Sequence, residues 1–271
     1  MPCVYALLED KTQESYERLL HAIESKCITW NYVPDPTTVI VDFESATIRA
    51  VKAVFGDQIS VHGCFYHLTQ STWRKVQAVG KAALYKSDEN FRLFIGMLDG
   101  LAFLPVDDIE KGMVWLKSIA PDEATDVLNY FDQTYVTGVI RELPPDAAGC
   151  VRIRRTAPLF PPSLWNVNSA TLTDSDRTNN VAEGWNNRLS SMVGHHHPSI
   201  WTLIEVLHAD AAEASATVMR HAVGNLPPRP RQRATVERQR RMRKLCEDYG
   251  NNSRQLESFM RAVGHTIRFS Y

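Results

Sequence analysis

The chain has 271 residues, of which 44% are apolar and 23% are charged, and its net charge is −1. These values are ordinary for a globular protein with a sizeable core, and they exclude a strongly basic or strongly acidic chain. No apolar run has the length of a membrane span, the first residues lack a signal-peptide pattern, and five scattered cysteines suit a reducing compartment. The sequence therefore predicts an intracellular protein without a membrane segment.

The first part of the chain alternates between apolar runs and helical periodicity, which is typical of an α/β layer fold. The strands are predicted at 3–8 (CVYALL), 37–42 (TTVIVD) and 59–64. The helices are predicted from Thr12 up to a break at 33–36 (VPDP), at about 44–55 and at about 66–79. Because CVYALL follows Met1 and Pro2 directly, we expect the domain to begin upstream of this sequence.

The remainder of the chain is predicted to be almost entirely helical. Helical periodicity extends from about 88 to 142, and a proline-rich loop is expected at 143–163. A polar turn at 174–178 precedes a helix over 179–192, and Ser199 caps another helix that extends to about 223. Eight basic residues then accompany a single acid, Glu237, between 229 and 244.

Asp42 is the first candidate for chemistry, because it ends a buried strand and is followed at once by a helix. Ligands of open α/β sheets bind beyond the carboxyl ends of the strands, which favours a functional role. Aspartate is also a good helix N-cap, so a purely structural role is the alternative.

Cys64 and His67 lie three residues apart at a strand-to-helix junction and could share a zinc ion. A structural zinc site needs four ligands, and the remaining candidates by type are only His62 and the run His195–His197. The sequence therefore favours a buried thiol and a hydrogen-bonded imidazole over zinc. The three consecutive histidines point in different directions on a loop, which makes them poor partners in a metal site.

Glu183 lies in a helix with an unusual number of asparagines, a residue with low helix propensity. The asparagines are Asn179, Asn180, Asn186 and Asn187. Because asparagines destabilise a helix, their number here suggests that this surface belongs to a functional site. The alternative is that Glu183 is merely solvated, and the asparagines do not indicate which reaction or ligand such a site would serve.

Seven strings, in order and at similar spacing over about 3–210, resemble the transposase domain of Mutator-like elements, the MULE family. They are YALLEDKTQESYERLLHAI, TVIVDFESATIRAVKAVF, VHGCFYHLTQSTWRKVQ, FRLFIGMLDGLAFLP, LWNV, RTNNVAEGWNNRLSSMVG and HPSIW. The resemblance implies a ribonuclease-H-like fold with a DDE active site for metal-dependent DNA strand cleavage and joining.

The resemblance also implies roles for individual residues. Asp42 corresponds to the second acid of the DDE set and Glu183 to the third, so both are expected to bind Mg²⁺ or Mn²⁺. Cys64 and His67 correspond to a CxxH motif that flanks the site, and Asn179 and Asn180 precede the third acid. The first aspartate would lie on a strand upstream of Met1, so we expect this chain to lack two core strands and to be impaired as an enzyme.

The implied organisation has four parts. They are a first part of the ribonuclease-H-like core at 3–79, an α-helical insertion at 80–165, a second part of the core at 166–210, and a basic helical tail at 211–271. A nuclear location, DNA as partner and a homodimer as candidate assembly follow from the same resemblance.

The basic stretch supports a second hypothesis, a non-catalytic DNA-binding or interaction module derived from a transposase. Its positive side chains could neutralise phosphates, although a solvated tail would have the same composition. They are Arg229, Arg231, Arg233, Arg238, Arg240, Arg241, Arg243 and Lys244.

Overall fold

The computed structural model describes residues 3–143, 152–178, 180–224 and 233–269, with the side chains of 140, 142, 143, 152, 153 and 180–183 outside the description. The described chain is mostly helical with few strands, which is compatible with an α/β protein. It forms two compact units. Unit 1 comprises Met1–Pro34 with Asn179–Arg231, and unit 2 comprises Asp35–Thr178 with Gln232–Tyr271. None of the described helices is long and apolar enough to cross a membrane.

Helices account for most of the described residues. In chain order they are α1 (Gln13–Ile28), α2 (Ser45–Phe55), α3 (Phe65–Ala78), α4 (Ala82–Ser87), α5 (Glu89–Gly100), α6 (Ile109–Ile119), α7 (Thr125–Phe131), α8 (Pro162–Trp165), α9 (Asn168–Leu172), α10 (Asn180–Val193), α11 (Ile200–Val223), α12 (Arg233–Gly250) and α13 (Leu256–Phe269). The strands are β1 (Thr38–Val41), β2 (Ser60–Gly63), β3 (Val139–Leu143) and β4 (Arg152–Thr156).

Strands β1 and β2 form a parallel pair joined by α2, as predicted from the sequence. Thr38 is opposite Ser60 and Val41 is opposite Gly63. Val41 and Val61 are buried, and α2 buries Ala50 and Val51. The apolar centre of each strand thus secures a βαβ unit that brings the carboxyl ends of both strands to one edge.

The strand predicted at 3–8 is wrong, because these residues form no strand in the part of the chain that the structure describes. Val4, Leu7 and Leu8 are 53%, 55% and 40% exposed, so the apolar run covers no sheet. A strand requires a neighbour that supplies hydrogen bonds along its length, and an apolar sequence alone does not provide one. Helix α1 follows as predicted, with the Thr12 side chain accepting a hydrogen bond from the Ser15 N–H.

A hairpin replaces the helix end and loop predicted around 143–163. Strands β3 and β4 pair in antiparallel fashion, with Val139 opposite Thr156 and Arg141 opposite Arg154. The arginines within the paired segments give no apolar alternation, so the usual sequence pattern of a strand is missing. The intervening part of the predicted loop, 144–151, lies outside the described residues and includes Cys150.

Helices α5 and α13 cross at glycines in the core of unit 2. A Cβ atom at Gly96 would lie 2.6 Å from the Gly264 carbonyl oxygen, and one at Gly264 would lie 2.8 Å from the Met97 nitrogen. The absence of side chains at this crossing lets the two backbones approach closely. Helix α13, predicted only as part of a basic tail, is therefore a core element of unit 2.

A buried ion pair connects the same helices to α3. The Arg268 guanidinium contacts Asp99, which is fully buried, and the Thr72 hydroxyl donates to Asp99 Oδ1 at 2.7 Å. Burial raises the pKa of Asp99 to about 6, although Arg268 and Thr72 act in the opposite direction. The desolvation of this carboxylate therefore outweighs the stabilisation from its partners.

Unit 1 has a polar centre around Asp210 of α11, whose side chain is only 3% exposed. The Tyr5 hydroxyl and the Trp185 indole N–H each donate to Asp210 Oδ2 at 2.6 Å, and Arg188 lies 2.9 Å from Oδ1. The hydrogen bond from Tyr5 is the main cause that lowers the pKa of Asp210. One carboxylate thus ties the N-terminal segment to α10 and α11.

Candidate functional site

Asp42 lies at the carboxyl end of β1 with a side chain that is 53% exposed. Glu44, and not Asp42, occupies the N-cap position of α2. The Glu44 N–H donates to the Asp42 carbonyl oxygen at 2.7 Å, which turns the chain from the strand into the helix. The Asp42 carboxylate is left accessible at the edge where α/β sheets bind ligands.

The residues after β2 bring the CxxH motif to the same edge. Cys64 is buried at the N-cap position of α3, and its N–H donates to the Val41 carbonyl oxygen at 2.8 Å. His67 lies in the first turn of α3, where its Nδ1 is 3.0 Å from Asp42 Oδ1. The structure therefore places His67 of the predicted motif next to the predicted acid Asp42. Cys64 stabilises the strand-to-helix junction through its backbone hydrogen bond.

Phe43 anchors the chain directly after Asp42. Its ring makes edge contacts with Tyr135 and Phe160, at centroid distances of 5.7 and 5.1 Å. The ring also lies over Gly63, where a Cβ atom would be 2.5 Å from it. Because Phe43 is fixed by these contacts, the backbone that carries Asp42 is fixed as well.

A cleft of about 420 Å³ opens beside Asp42 within unit 2. Its lining combines two acidic side chains, two basic side chains, an amide and hydroxyl groups with aromatic rings. The lining residues are Asp42, Phe43, Glu44, His67, Gln70, Ser71, Arg74, Tyr130, Tyr135 and Phe160.

Hydrogen bonds connect three of the side chains that line this cleft. The Tyr135 hydroxyl donates to Ser71 Oγ at 2.9 Å, and Ser71 Oγ lies 2.8 Å from the Tyr130 hydroxyl. Burial raises the pKa of Tyr135 above its usual range, and the phenol acts as a hydrogen-bond donor to Ser71. The cleft is therefore lined by hydroxyl groups as well as by the Asp42 carboxylate.

The other predicted acid, Glu183, belongs to α10 of unit 1, and its side chain lies outside the described part of the structure. The same holds for the side chain of Asn180, and Asn179 is outside the description altogether. Asn186 and Asn187 of the same helix are exposed. Glu183, Asn179 and Asn180 therefore remain predicted site residues.

Divalent metal ions need several converging donors, which are mainly carboxylate oxygens for Mg²⁺ and Mn²⁺. Asp42 supplies an accessible carboxylate, but no three His, Cys, Asp or Glu side chains among the described residues converge as a metal-binding group. Asp42 with its described neighbours therefore fits part of a metal site and not a full set of ligands. The His195–His197 run lies on the loop between α10 and α11, where its side chains are exposed.

Helix α12 carries the described part of the basic stretch, while Arg229 and Arg231 lie outside the described residues. Its apolar side is packed, with Met242, Leu245 and Cys246 buried. Two of its cations are paired within the helix. Arg243 lies 2.9 Å from Glu247, and Lys244 lies 3.2 Å from Asp248.

The other cations of α12 make no ion pair in the part of the chain that the structure describes. They are Arg233, Arg238, Arg240 and Arg241, all of which are exposed. The structure thus divides a run that appeared uniform in the sequence into a neutralised C-terminal half and a positively charged N-terminal half.

Arg177 is a residue of interest that sequence reasoning missed. Its carbonyl oxygen accepts a hydrogen bond from the Phe65 N–H at 3.0 Å, next to the CxxH motif. Its guanidinium lies 5.6 Å from the centre of the Phe103 ring, and burial lowers its pKa. The position of this residue at the start of the RTNN string was its only sequence signal.

Comparison with known proteins gives a match to a family model. No curated protein and no solved structure matches the chain significantly. The model of the MULE transposase domain family matches residues 1–71, a segment that contains Asp42, Cys64 and His67. This match confirms, over residues 1–71, the predicted relationship of the chain to the MULE transposase domain family.

Proposed function

We propose that this protein acts on DNA as part of a metal-dependent transposase, in which Asp42 is a metal-binding carboxylate. The family match indicates a transposase-related function, and Asp42 lies within the matched segment. The observation that carries the proposal is the accessibility of the Asp42 carboxylate at the carboxyl end of β1, on the wall of a polar cleft.

The surroundings of Asp42 support this role. Glu44, and not Asp42, is the N-cap residue of the helix that follows β1. His67 Nδ1 lies 3.0 Å from Asp42 Oδ1 at the edge of the cleft. Phe43 fixes the adjacent backbone by its ring contacts. These contacts preorganise one oxygen ligand for a hard cation.

Mg²⁺ or Mn²⁺ is the proposed cofactor, and Glu183 is the second proposed metal-binding acid on the basis of the family resemblance. Such ions would neutralise the charge of a phosphodiester and stabilise the attacking and leaving oxygens during strand cleavage and transfer. The ribonuclease-H-like core and a nuclear location are further parts of this proposal.

Metal titration of the full chain tests the role of Asp42. We expect Mn²⁺ to bind in isothermal titration calorimetry, and we expect Asp42→Asn to weaken this binding by about tenfold or more. Asp57→Asn is the matched control, because Asp57 is an exposed acid on the turn before β2 and does not line the cleft. Glu183→Gln, measured in the same way, tests the second acid separately. Equal Mn²⁺ affinity of the wild type and Asp42→Asn would refute the assignment of Asp42.

A second candidate function is a transposase-derived module that binds DNA without catalysis. The exposed arginines of α12 that lack ion pairs within the described residues favour this alternative. Binding of duplex DNA in the presence of EDTA, with no metal-dependent cleavage, would be the expected behaviour of such a module. Metal-dependent strand cleavage that is lost in Asp42→Asn would instead identify the enzyme.

A further inference from the structure

One face of helix α3 forms a wall of the cleft beside Asp42. The helix contributes four polar side chains to the lining, which are His67, Gln70, Ser71 and Arg74. Their positions differ from the first by three, four and seven residues, a spacing that places side chains on one face of a helix. Polar groups therefore follow the cleft for about two turns of α3, a length of about 10 Å.

Two of these four side chains already have partners within the protein. His67 Nδ1 lies 3.0 Å from Asp42 Oδ1. Ser71 Oγ lies 2.8 Å from the Tyr130 hydroxyl. The residue after Arg74 is also engaged, because the Lys75 ammonium lies 5.5 Å from the centre of the Tyr130 ring. These groups are therefore committed to contacts inside unit 2.

The other two side chains, those of Gln70 and Arg74, are not engaged in this way. Within the part of the chain that the structure describes, neither side chain makes a hydrogen bond or an ion pair. Gln70 is half-buried and Arg74 is exposed, and their separation of four residues makes them neighbours on the helix surface. Together they present an amide and a guanidinium group to the cleft. N–H donors without acceptors suit a ligand rich in oxygen, and the positive charge favours an anion.

We propose that Arg74 and Gln70 bind a phosphate of the DNA strand that enters the cleft. This inference rests on the proposed action on DNA and names residues that hold the substrate. The guanidinium forms paired hydrogen bonds to phosphate oxygens, and the amide N–H group supplies another. Asp42 and Glu44 also line the cleft and repel a phosphate when no cation is bound. Because His67 lies next to Asp42 and Arg74 begins about 10 Å further along α3, the phosphate at Arg74 flanks the one beside Asp42.

The test is the salt dependence of duplex DNA binding by the full chain in EDTA, measured by fluorescence anisotropy. Each neutralised phosphate contributes about 0.9 to the slope of log K against log salt concentration, so Arg74→Gln should reduce the magnitude of this slope by up to about 0.9. Arg74→Lys keeps the charge and should keep the slope. Gln70→Ala removes no charge, so it should weaken binding by about tenfold at an unchanged slope. Arg49→Gln is the matched control, because Arg49 is an exposed arginine of α2 that does not line the cleft.

Three results would overturn the proposal. They are an absence of DNA binding, equal slopes for the wild type and Arg74→Gln, and an equal loss of slope in Arg49→Gln. If Arg240→Gln reduces the slope and Arg74→Gln does not, α12 binds the DNA and the cleft does not. If inorganic phosphate raises the thermal midpoint of the wild type but not that of Arg74→Gln, while the DNA slopes are equal, the cleft takes free phosphate and not DNA. Because EDTA removes metal and the Mn²⁺ titration of Asp42 uses no DNA, either experiment can fail without the other.

Discussion

The glycine crossing of α5 and α13 makes a quantitative prediction about stability. In Gly264→Ala the new methyl group would lie 2.8 Å from both the nitrogen and Cγ of Met97, and 3.1 Å from the carbonyl carbon of Gly96. A rotamer change can move the Met97 side chain but not the backbone atoms, so the helices must separate. Overpacking of this kind costs about 3 kcal/mol, and the better helix propensity of alanine offsets about 1 kcal/mol. The expected net loss is about 2 kcal/mol.

Urea unfolding followed by far-ultraviolet circular dichroism measures this loss as a lower midpoint with an unchanged slope. Gly250→Ala is the matched control in the same unit. Gly250 is also helical, but a Cβ atom there would meet nothing within 4 Å. We expect this control to be neutral or slightly stabilising. If Gly264→Ala is as stable as Gly250→Ala, then α5 and α13 do not pack through their glycines.

Three further predictions concern buried polar groups. Burial raises the pKa of Asp99 from 3.8 to about 6, so its stabilising contribution is complete below about pH 4 and is lost as the pH rises through about 6. In the wild type, the free energy of unfolding from urea titrations should therefore fall by about 3 kcal/mol between pH 4 and pH 6, and Asp99→Asn should remove this fall. Parallel pH profiles of the wild type and Asp99→Asn would contradict the prediction. Burial raises the pKa of the Cys246 thiol to about 12, so iodoacetamide should modify half-buried Cys27 in the native protein but not Cys246. Equal modification of both cysteines, measured by mass spectrometry, would refute this. Asp210→Ala removes the acceptor of the Tyr5 hydroxyl, so amide hydrogen exchange in residues 3–8 should accelerate, and unchanged exchange would show that Asp210 does not hold this segment.

Part of the candidate site was predictable, because local rules govern it. The apolar run before Asp42, the turn at Gly56 and the motif after β2 each depend on neighbouring residues, and the structure has the strands and helices where the sequence predicts them. The association of His67 with Asp42 follows from the parallel register of β1 and β2, which the βαβ pattern implies.

Other features depend on partners that are distant in sequence, and the sequence does not indicate them. CVYALL has the composition of a strand, but pairing requires a second strand. Asp99 and Asp210 have the appearance of surface acids in their helices, and only the fold brings Arg268 to one and Tyr5 to the other. The basic run appeared uniform because the ion pairs of Arg243 and Lys244 become evident only once α12 is known to be a helix.

The discontinuity of unit 1 has a consequence for the order of folding during synthesis. Tyr5 and Asp210 are separated by 205 positions, and α1 buries none of its residues fully. While the ribosome makes the chain, the first 34 residues must therefore wait for α10 and α11 to emerge before their contacts can form. In contrast, β1, α2, β2 and α3 can associate soon after residue 78 is made. We expect the parallel pair of β1 and β2 to form early, and the contacts of Phe43 with Tyr135 and Phe160 to follow. The unit that includes the helix of Glu183 is expected to be completed late.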